Sequence, residues 1–192
     1  MLPPEAIGEH LLPVLDRLAQ ILNDGQVSYA LIGGLGVAFR GPIRATRDID
    51  LLVTIPQLQL PVLLNALVQG GFRLDIAQAI GIWNRDHLLD FSFGSVRVDW
   101  LKAVLPAFEH ILSRARWEQI GDRRIRVADA EGLLLLKLIA FRARDQEDIK
   151  GILAANSGSL DLDWVRREWR QLVGEGDPKT EQFEKLVREF YD

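Results

Sequence analysis

Two short stretches place chemistry-bearing residues at an informative spacing. Ile32-Gly33-Gly34 is followed, after thirteen residues, by Asp48-Ile49-Asp50-Leu51. On a strand, residues two apart face the same way, so Asp48 and Asp50 project from one face while Ile49 and Leu51 pack behind. Two converging carboxylates repel each other, and a hard divalent cation with oxygen ligands, Mg²⁺ before others, relieves that repulsion. Glycines 33 and 34 close the preceding strand ahead of a short helix. Without Cβ atoms they admit a ligand close to the backbone, and the N–H groups of the turn and helix start can receive phosphate oxygens. A third carboxylate, Asp99, sits in Val96-Arg97-Val98-Asp99-Trp100, where the valines and the tryptophan take one face and Arg97 and Asp99 the other. A phosphate cradle beside a cation-binding acidic set points to phosphoryl or nucleotidyl transfer.

Further residues complete or compete with this reading. Lys137 interrupts a leucine-rich run, which suits either a solvent-facing lysine or one turned to a cleft. Arg44 and Arg47 precede the acidic pair and suit either phosphate contact or an ordinary place on the surface. His10, His87 and His110 are scattered with no two at ligand spacing, which argues against a zinc site. The tryptophans read as packing residues. Arg114, Arg116, Arg123, Arg124 and Arg126 form a basic cluster suited either to RNA phosphates or to plain solvation.

Composition bounds the rest. The chain has 192 residues, 48% hydrophobic and 26% charged, which suits a globular protein of one domain or two small ones. The absence of cysteine excludes disulfides, thiolate metal sites and cysteine nucleophiles. The net charge of −4 argues against attraction of nucleic acid over the whole surface and leaves a local basic patch open. The N-terminus lacks a signal-peptide pattern and the apolar runs are too short to span a bilayer, so the expected setting is the cytoplasm, with no membrane partner.

The elements that must position these residues can be read in order. A helix is expected from Pro4 to about Asn23, a strand over Val27 to Ile32, and a short helix over Leu35 to Arg40 that breaks at Gly41-Pro42. A strand from Thr46, closed by Pro56, leads into a helix from Gln57 to Val68. Three short strands are expected at Phe72 to Asp75, Leu88 to Phe93 and Val96 to Leu101, with Gly94-Ser95 as a hairpin turn between the last two. A helix from Ala107 to Arg114 and a strand or hairpin around Ile125 and Val127 follow. Helices then run over Glu131 to Arg142, with Asp129 as N-cap, and from Asp145, as a second N-cap, to Leu153. Asp161 to Val173 and Lys179 to Tyr191 complete the chain. One continuous helix from Glu131 to Leu153 would instead align Lys137, Arg144 and Asp148 on a single stripe. The fold class is α+β: a small mixed sheet flanked by helices in residues 1–105, then a mainly helical region, 106–192, that contributes Lys137.

The segment Tyr29-Ala30-Leu31-Ile32-Gly33-Gly34 through Arg44-Ala45-Thr46-Arg47-Asp48-Ile49-Asp50-Leu51 resembles the signature of the DNA polymerase beta-like nucleotidyltransferase superfamily. The Arg-x-Thr-Arg-Asp-Ile-Asp form and the later run from Leu136 to Ile149 resemble the abortive-infection AbiE-type toxin nucleotidyltransferases. The resemblance covers about Val27 to Leu153. It implies two Mg²⁺ ions, with Mn²⁺ as a substitute, held by Asp48, Asp50 and Asp99, with Asp99 nearest the nucleophile. It also implies a triphosphate on Gly33 and Gly34, neutralised by Lys137 with Arg44 or Arg47, while Asp148 holds a supporting acidic position. The implied reaction moves a nucleoside monophosphate from a nucleoside triphosphate to an acceptor hydroxyl, RNA or tRNA among the acceptors, in a toxin with an antitoxin partner. The alternatives are modification of a protein, such as a partner toxin, or of a small molecule, and a silent nucleotide-binding module.

Overall fold

Six short runs of alternating or fully apolar residues become strands in the computed structural model, which describes residues 8, 10–120, 123–174 and 176–191. They are β1 (Ser28–Leu31), β2 (Asp48–Thr54), β3 (Leu88–Phe93), β4 (Val96–Lys102), β5 (Arg116–Ile120) and β6 (Arg123–Val127). All six join one mixed sheet in the order β3-β4-β2-β1-β6-β5. β2 runs antiparallel to β1 and parallel to β4, β1 pairs parallel with β6, and β3–β4 and β5–β6 are antiparallel hairpins. Gly94 turns the first hairpin with φ of 59°, which costs glycine no Cβ clash.

Helices cover the two faces. α1 (Leu12–Asp24), α3 (Leu60–Gln69) and α4 (Ile76–Asp86) pack over the face that carries Ile49, Leu51, Val98, Trp100 and Val127. Trp100 anchors that side, fully buried and in edge contact with Trp83 at 6.3 Å and Phe91 at 5.0 Å between ring centroids. On the other face, Ala30 and Leu52 meet a core built by α5 (Pro106–Arg114), α6 (Ala130–Ala140), α7 (Ala143–Ala155), α8 (Leu162–Leu172) and α9 (Pro178–Tyr191). α2 (Gly33–Arg40) lies between, giving Leu35 to one core and Val37 to the other. Leu52 is fully buried on the second face, but Asp48 and Asp50, on that same face nearer the start of β2, are only half-buried. The helical layer therefore stops short of the strand's acidic end. The cleft described below lies there.

The expected α+β class, with its sheet and flanking helices, is what the chain adopts. Several local expectations need correction. Phe72 to Asp75 is not a strand; it contributes one bridge, Arg73 with Ser92, and Asp75 instead caps the unforeseen α4 by accepting from the Gln78 N–H. Ile76, Ala79, Ile80 and Trp83 stand at helical spacing there, a signal hidden by the short apolar run before it. The described part of the first helix begins at Leu12, and residues 4–7 and 9 of the expected span lie outside the described residues. The run from Glu131 to Leu153 is not one helix: Phe141 takes a left-handed φ of 49° that ends α6. Arg142, not Asp145, occupies the N-cap of α7, and Asp145 accepts from the Arg142 backbone N–H at 3.1 Å. β5 and β6 lie past residue 105 yet complete the same sheet, and helices from both stretches share the second core.

Candidate active site

The parallel pairing of β2 with β4 sets Asp48 beside Arg97 and Asp50 beside Asp99, so three carboxylates share one face of two adjacent strands. Gly33, with φ of 60°, stands directly against Asp50, and a Cβ built on it would overlap that carboxylate. At Gly34 a Cβ would crowd Thr46 Oγ1 at 2.9 Å and Arg44 Nη1 at 3.1 Å. Both glycines are therefore demanded by the neighbours they meet, beyond the needs of a turn. The Gly34 N–H also hydrogen-bonds to the Asp50 carboxylate.

These groups line a cleft of about 470 Å³. Gly33, Gly34, Asp48, Asp50 and Asp99 form one side; Arg44, Lys137, Arg142 and Arg144 bring the cations. The structure thus gathers most of the residues singled out from the sequence. Arg47 is exposed and does not line the cleft. Asp148 is buried behind Lys137 rather than on the cleft wall. Arg97, Arg142, Arg144 and Asp145 also line it without having been assigned a place in the site from sequence; for the last three the signal was the run Arg142-x-Arg144-Asp145-x-x-Asp148. Asp90, opposite Asp99 on β3, is a further carboxylate beside the set.

A buried ionic chain fixes the cationic wall. Lys137 Nζ lies 2.9 Å from Asp145 Oδ1 and 2.7 Å from Asp148 Oδ2. Asp148 accepts two hydrogen bonds from Arg44, from Nε at 2.6 Å and Nη2 at 2.8 Å, a fork geometry suited to a carboxylate. Asp145 accepts from Arg142 Nε at 2.7 Å, and Arg144 Nη2 donates to the Ala45 carbonyl at 2.9 Å. The loop from α2 to β2 is thereby tied to the start of α7. Lys137 and Asp148 meet across a helix–turn–helix, not along one helical stripe.

The titration behaviour separates the two walls. Burial pushes the Asp50 carboxyl up, and the charges of Asp99 and Asp48 push it further. Burial also raises Asp99, although Arg97, whose Nε donates to Asp99 Oδ1 at 2.8 Å, draws it back. Asp145 and Asp148 go the other way: burial alone would raise them, but hydrogen bonds from Arg142 and Lys137, and from Arg44 and Lys137, hold them below the ordinary value. Among the described residues no three acidic or histidine side chains are closed into a ready metal cluster, and Asp99 is turned to Arg97. The donors nevertheless fit a hard cation: three carboxylates, no sulfur or imidazole, and mutual repulsion that a positive charge would relieve.

The basic cluster resolves into separate roles. Arg114 is drawn to Asp129 and Glu131, and Arg126 donates to the Leu112 and Ala115 carbonyls. Arg124 and Arg126 flank the half-exposed Trp117 at 5.4 and 6.0 Å from its ring. The Arg123 side chain lies outside the described residues. His110 meets Glu168 and is absent from the cleft.

No family model matches the chain, and no curated protein matches it by sequence. Solved structures do share its fold. An antigenic nucleotidyltransferase-like protein from Paracoccidioides brasiliensis aligns over 96% of this chain and 95% of its own, with a TM-score of 0.58 at 15% identity. ANT(2'')-Ia in complex with adenylyl-2''-tobramycin aligns over 94% and 97%, with a TM-score of 0.53 at 15% identity. The lincosamide antibiotic adenylyltransferase LnuA, lincomycin-bound, aligns over 77% and 97%, with a TM-score of 0.53 at 17% identity. The chain has the fold of these nucleotidyltransferases. Among the described residues no helix is long and apolar enough to cross a membrane.

Removing Asp148 would leave Lys137 without one of its two carboxylates and Arg44 without its fork partner. Asp148→Ala is expected to lower unfolding free energy by about 3–5 kcal/mol, measured by denaturant titration. Because the folded chain ionises Asp145 and Asp148 more readily than the unfolded one, their stabilising contribution is whole above the ordinary aspartate value of 3.8 and is lost as pH falls below it. Unfolding midpoints taken from pH 6 to pH 2.5 should therefore fall less steeply for Asp148→Asn than for the parent. Equal slopes would contradict this account.

Proposed function

We propose that this chain transfers a nucleoside monophosphate from a nucleoside triphosphate to an acceptor hydroxyl with release of pyrophosphate. The observation that carries the reading is the fit of the Gly33-Gly34 turn against Asp50, with Asp48 and Asp99 alongside and the Lys137, Arg142 and Arg144 cations across the same cleft. The shared fold supports it.

Mg²⁺ held by Asp48, Asp50 and Asp99, or Mn²⁺ in its stead, would polarise the transferring phosphate and make the acceptor hydroxyl more acidic. The protein's own contribution is placement and charge. Gly33 and Gly34 admit the phosphates to the backbone at the start of α2, where N–H groups are free of helical partners. Lys137, Arg142, Arg144 and Arg44 offset the triphosphate charge and the negative charge on the departing pyrophosphate. Asp99, whose carboxyl is raised by burial, takes the proton of the acceptor hydroxyl. Arg47 and Asp148 act from outside the cleft, Arg47 as an exposed cation beside it and Asp148 by aiming Arg44 and Lys137.

For the acceptor, the motif resemblance supports RNA, the tRNA acceptor end included, and with it a toxin role and an antitoxin partner. Trp117, with Arg124 and Arg126 near its ring, supports the same reading, since a half-exposed indole beside guanidinium groups can stack a base. A small-molecule acceptor is the second reading, favoured by the antibiotic-bound states of ANT(2'')-Ia and LnuA.

The test is incubation with Mg²⁺, each α-labelled nucleoside triphosphate, and in turn cellular RNA, protein extract and a panel of aminoglycosides and lincosamides. Label is expected in RNA, and label in an antibiotic would select the second reading. Asp48→Ala and Asp50→Ala should each lower transfer by about 10³-fold or more, as when one member of a catalytic set acting as a unit is removed. Undiminished turnover in Asp48→Ala would sink the mechanism. Gly33→Ala should cost about 10²-fold by displacing the Asp50 carboxylate, the scale of a 1 Å misplacement.

Asp50→Asn carries a second signature. The folded chain holds the Asp50 proton more tightly than the unfolded one, so stability is lost as pH rises through the ordinary value of 3.8 to the raised one and stays lost above it. In chelator at pH 7, Asp50→Asn is therefore expected to melt above the parent while being inactive, with the gain shrinking towards pH 3.5. A lower melting point at pH 7 would count against the raised Asp50.

A further inference from the structure

We propose that the chain carries a second anion site, at the far end of α2 from the catalytic cleft, built to take a phosphate group on a small molecule. α2 spans roughly 12 Å at 1.5 Å per residue; its first residue, Gly33, touches the cleft and its last, Arg40, walls a separate cavity of about 520 Å³. The two cavities have no lining residue in common. The second lies where the end of α2, the start of β5, the start of α6 and the end of α7 meet. Its volume is in the range of small-molecule sites.

The chemistry of the wall selects the ligand. Arg40 Nε donates to the Ala128 carbonyl and Nη1 pairs with Glu118, but Nη2 is buried with no hydrogen-bond partner. A guanidinium N–H left so is destabilising, and an acceptor ligand that reached it would satisfy it. The Arg116 guanidinium, exposed at the cavity, has no hydrogen bond or ion pair among the described residues. The two acids in the wall do not offer themselves in exchange. Asp129 accepts from the Gly132 N–H and from Arg114 Nε; Glu131 accepts from the Asp161 N–H and faces Arg114 Nη2 at 3.4 Å. Asn156 Nδ2 is likewise committed to the Arg40 and Ile152 carbonyls. What the wall has left to give is guanidinium N–H from two arginines on different elements, the arrangement that matches a tetrahedral anion. The site is independent of the catalytic reading, since none of the residues assigned to transfer contributes to it.

The test is calorimetric titration in chelator with inorganic phosphate and, separately, with adenosine 5′-monophosphate, on the parent chain, Arg116→Ala, Ser159→Trp and Arg142→Ala/Arg144→Ala. Arg116 and Ser159 are exposed, so both single variants are expected to fold, with melting curves as the check. The expected result is an anion-binding event that survives Arg142→Ala/Arg144→Ala, weakens at least tenfold in Arg116→Ala, and is lost when tryptophan at 159 fills the cavity. Tighter binding of the nucleotide than of phosphate would identify a nucleotide-sized occupant. Equal binding would identify the phosphate group alone, and either supports the site. Binding unchanged in both Arg116→Ala and Ser159→Trp, or abolished by the Arg142/Arg144 substitutions, would place the anion in the catalytic cleft and overturn the proposal.

Discussion

Everything at the cleft depends on Asp148. It sits almost fully buried, carries a charge, and is surrounded by two cations from different parts of the chain. A lone carboxylate in that position would be neutralised at large cost, and a lone lysine at Lys137 equally so. Together, with Asp145, they make a chain of ion pairs in which each burial is tolerable only because the others are present. Its consequence is geometric. Arg44 belongs to the loop that delivers Asp48 and Asp50, whereas Lys137 and Asp148 belong to helices more than eighty residues later. The ion chain holds the acidic strand end and the cationic wall at a fixed separation, and so defines the cleft.

The opposite wall is built on the reverse principle. Asp50 is raised where Asp145 and Asp148 are lowered, although all three lie close to the same cations. The difference is commitment: Asp145 and Asp148 receive short hydrogen bonds from charged donors, while Asp50 is offered the Gly34 N–H and the neighbouring charges of Asp48 and Asp99. A folded chain that keeps like charges together on one sheet face holds back stability that a bound cation can return. The adjoining core makes this tolerable. Ile49, Leu51, Val98 and Trp100, all fully buried on the reverse side of the same strands, fix the register that lines the carboxylates up.

Much of this was legible in the sequence, because the relevant periodicities are local. Asp-Ile-Asp-Leu on a strand sets two acids on one face whatever surrounds it, and Val96 to Trp100 does the same for Asp99. Gly33 and Gly34 were readable as a close approach, though not that the approaching groups are the protein's own side chains, Asp50 at Gly33 and Thr46 with Arg44 at Gly34. What was hidden is what depends on tertiary contact. Arg142 and Arg144 look like surface cations until the left-handed Phe141 turns the chain and brings them to the cleft. Asp145 reads as a cap from sequence and does bond the Arg142 backbone, yet its heavier duty is to Lys137, eight residues back, which no helical spacing foretells. α4 was missed because the short β-forming run before Asp75 resembles a strand, and only the cap bond to Gln78 shows where the helix starts.

The cation inventory also bears on how the cleft would treat an anionic ligand. Lys137 and Arg44 are held by buried carboxylates, so they contribute fixed direction as well as charge. Arg142 is largely exposed and shares only Asp145, and Arg144 spends one N–H on a carbonyl and keeps its charge. A polyphosphate entering the cleft would thus meet two tiers: exposed outer guanidiniums that raise encounter and are screened by salt, and an inner lysine and arginine whose aim salt cannot disturb. Such a division lets a chain with a net charge of −4 hold a multiply charged ligand without presenting a broad positive surface. The outer tier governs arrival. The inner tier, because it is set by Asp145 and Asp148, would govern where the phosphates of such a ligand come to rest.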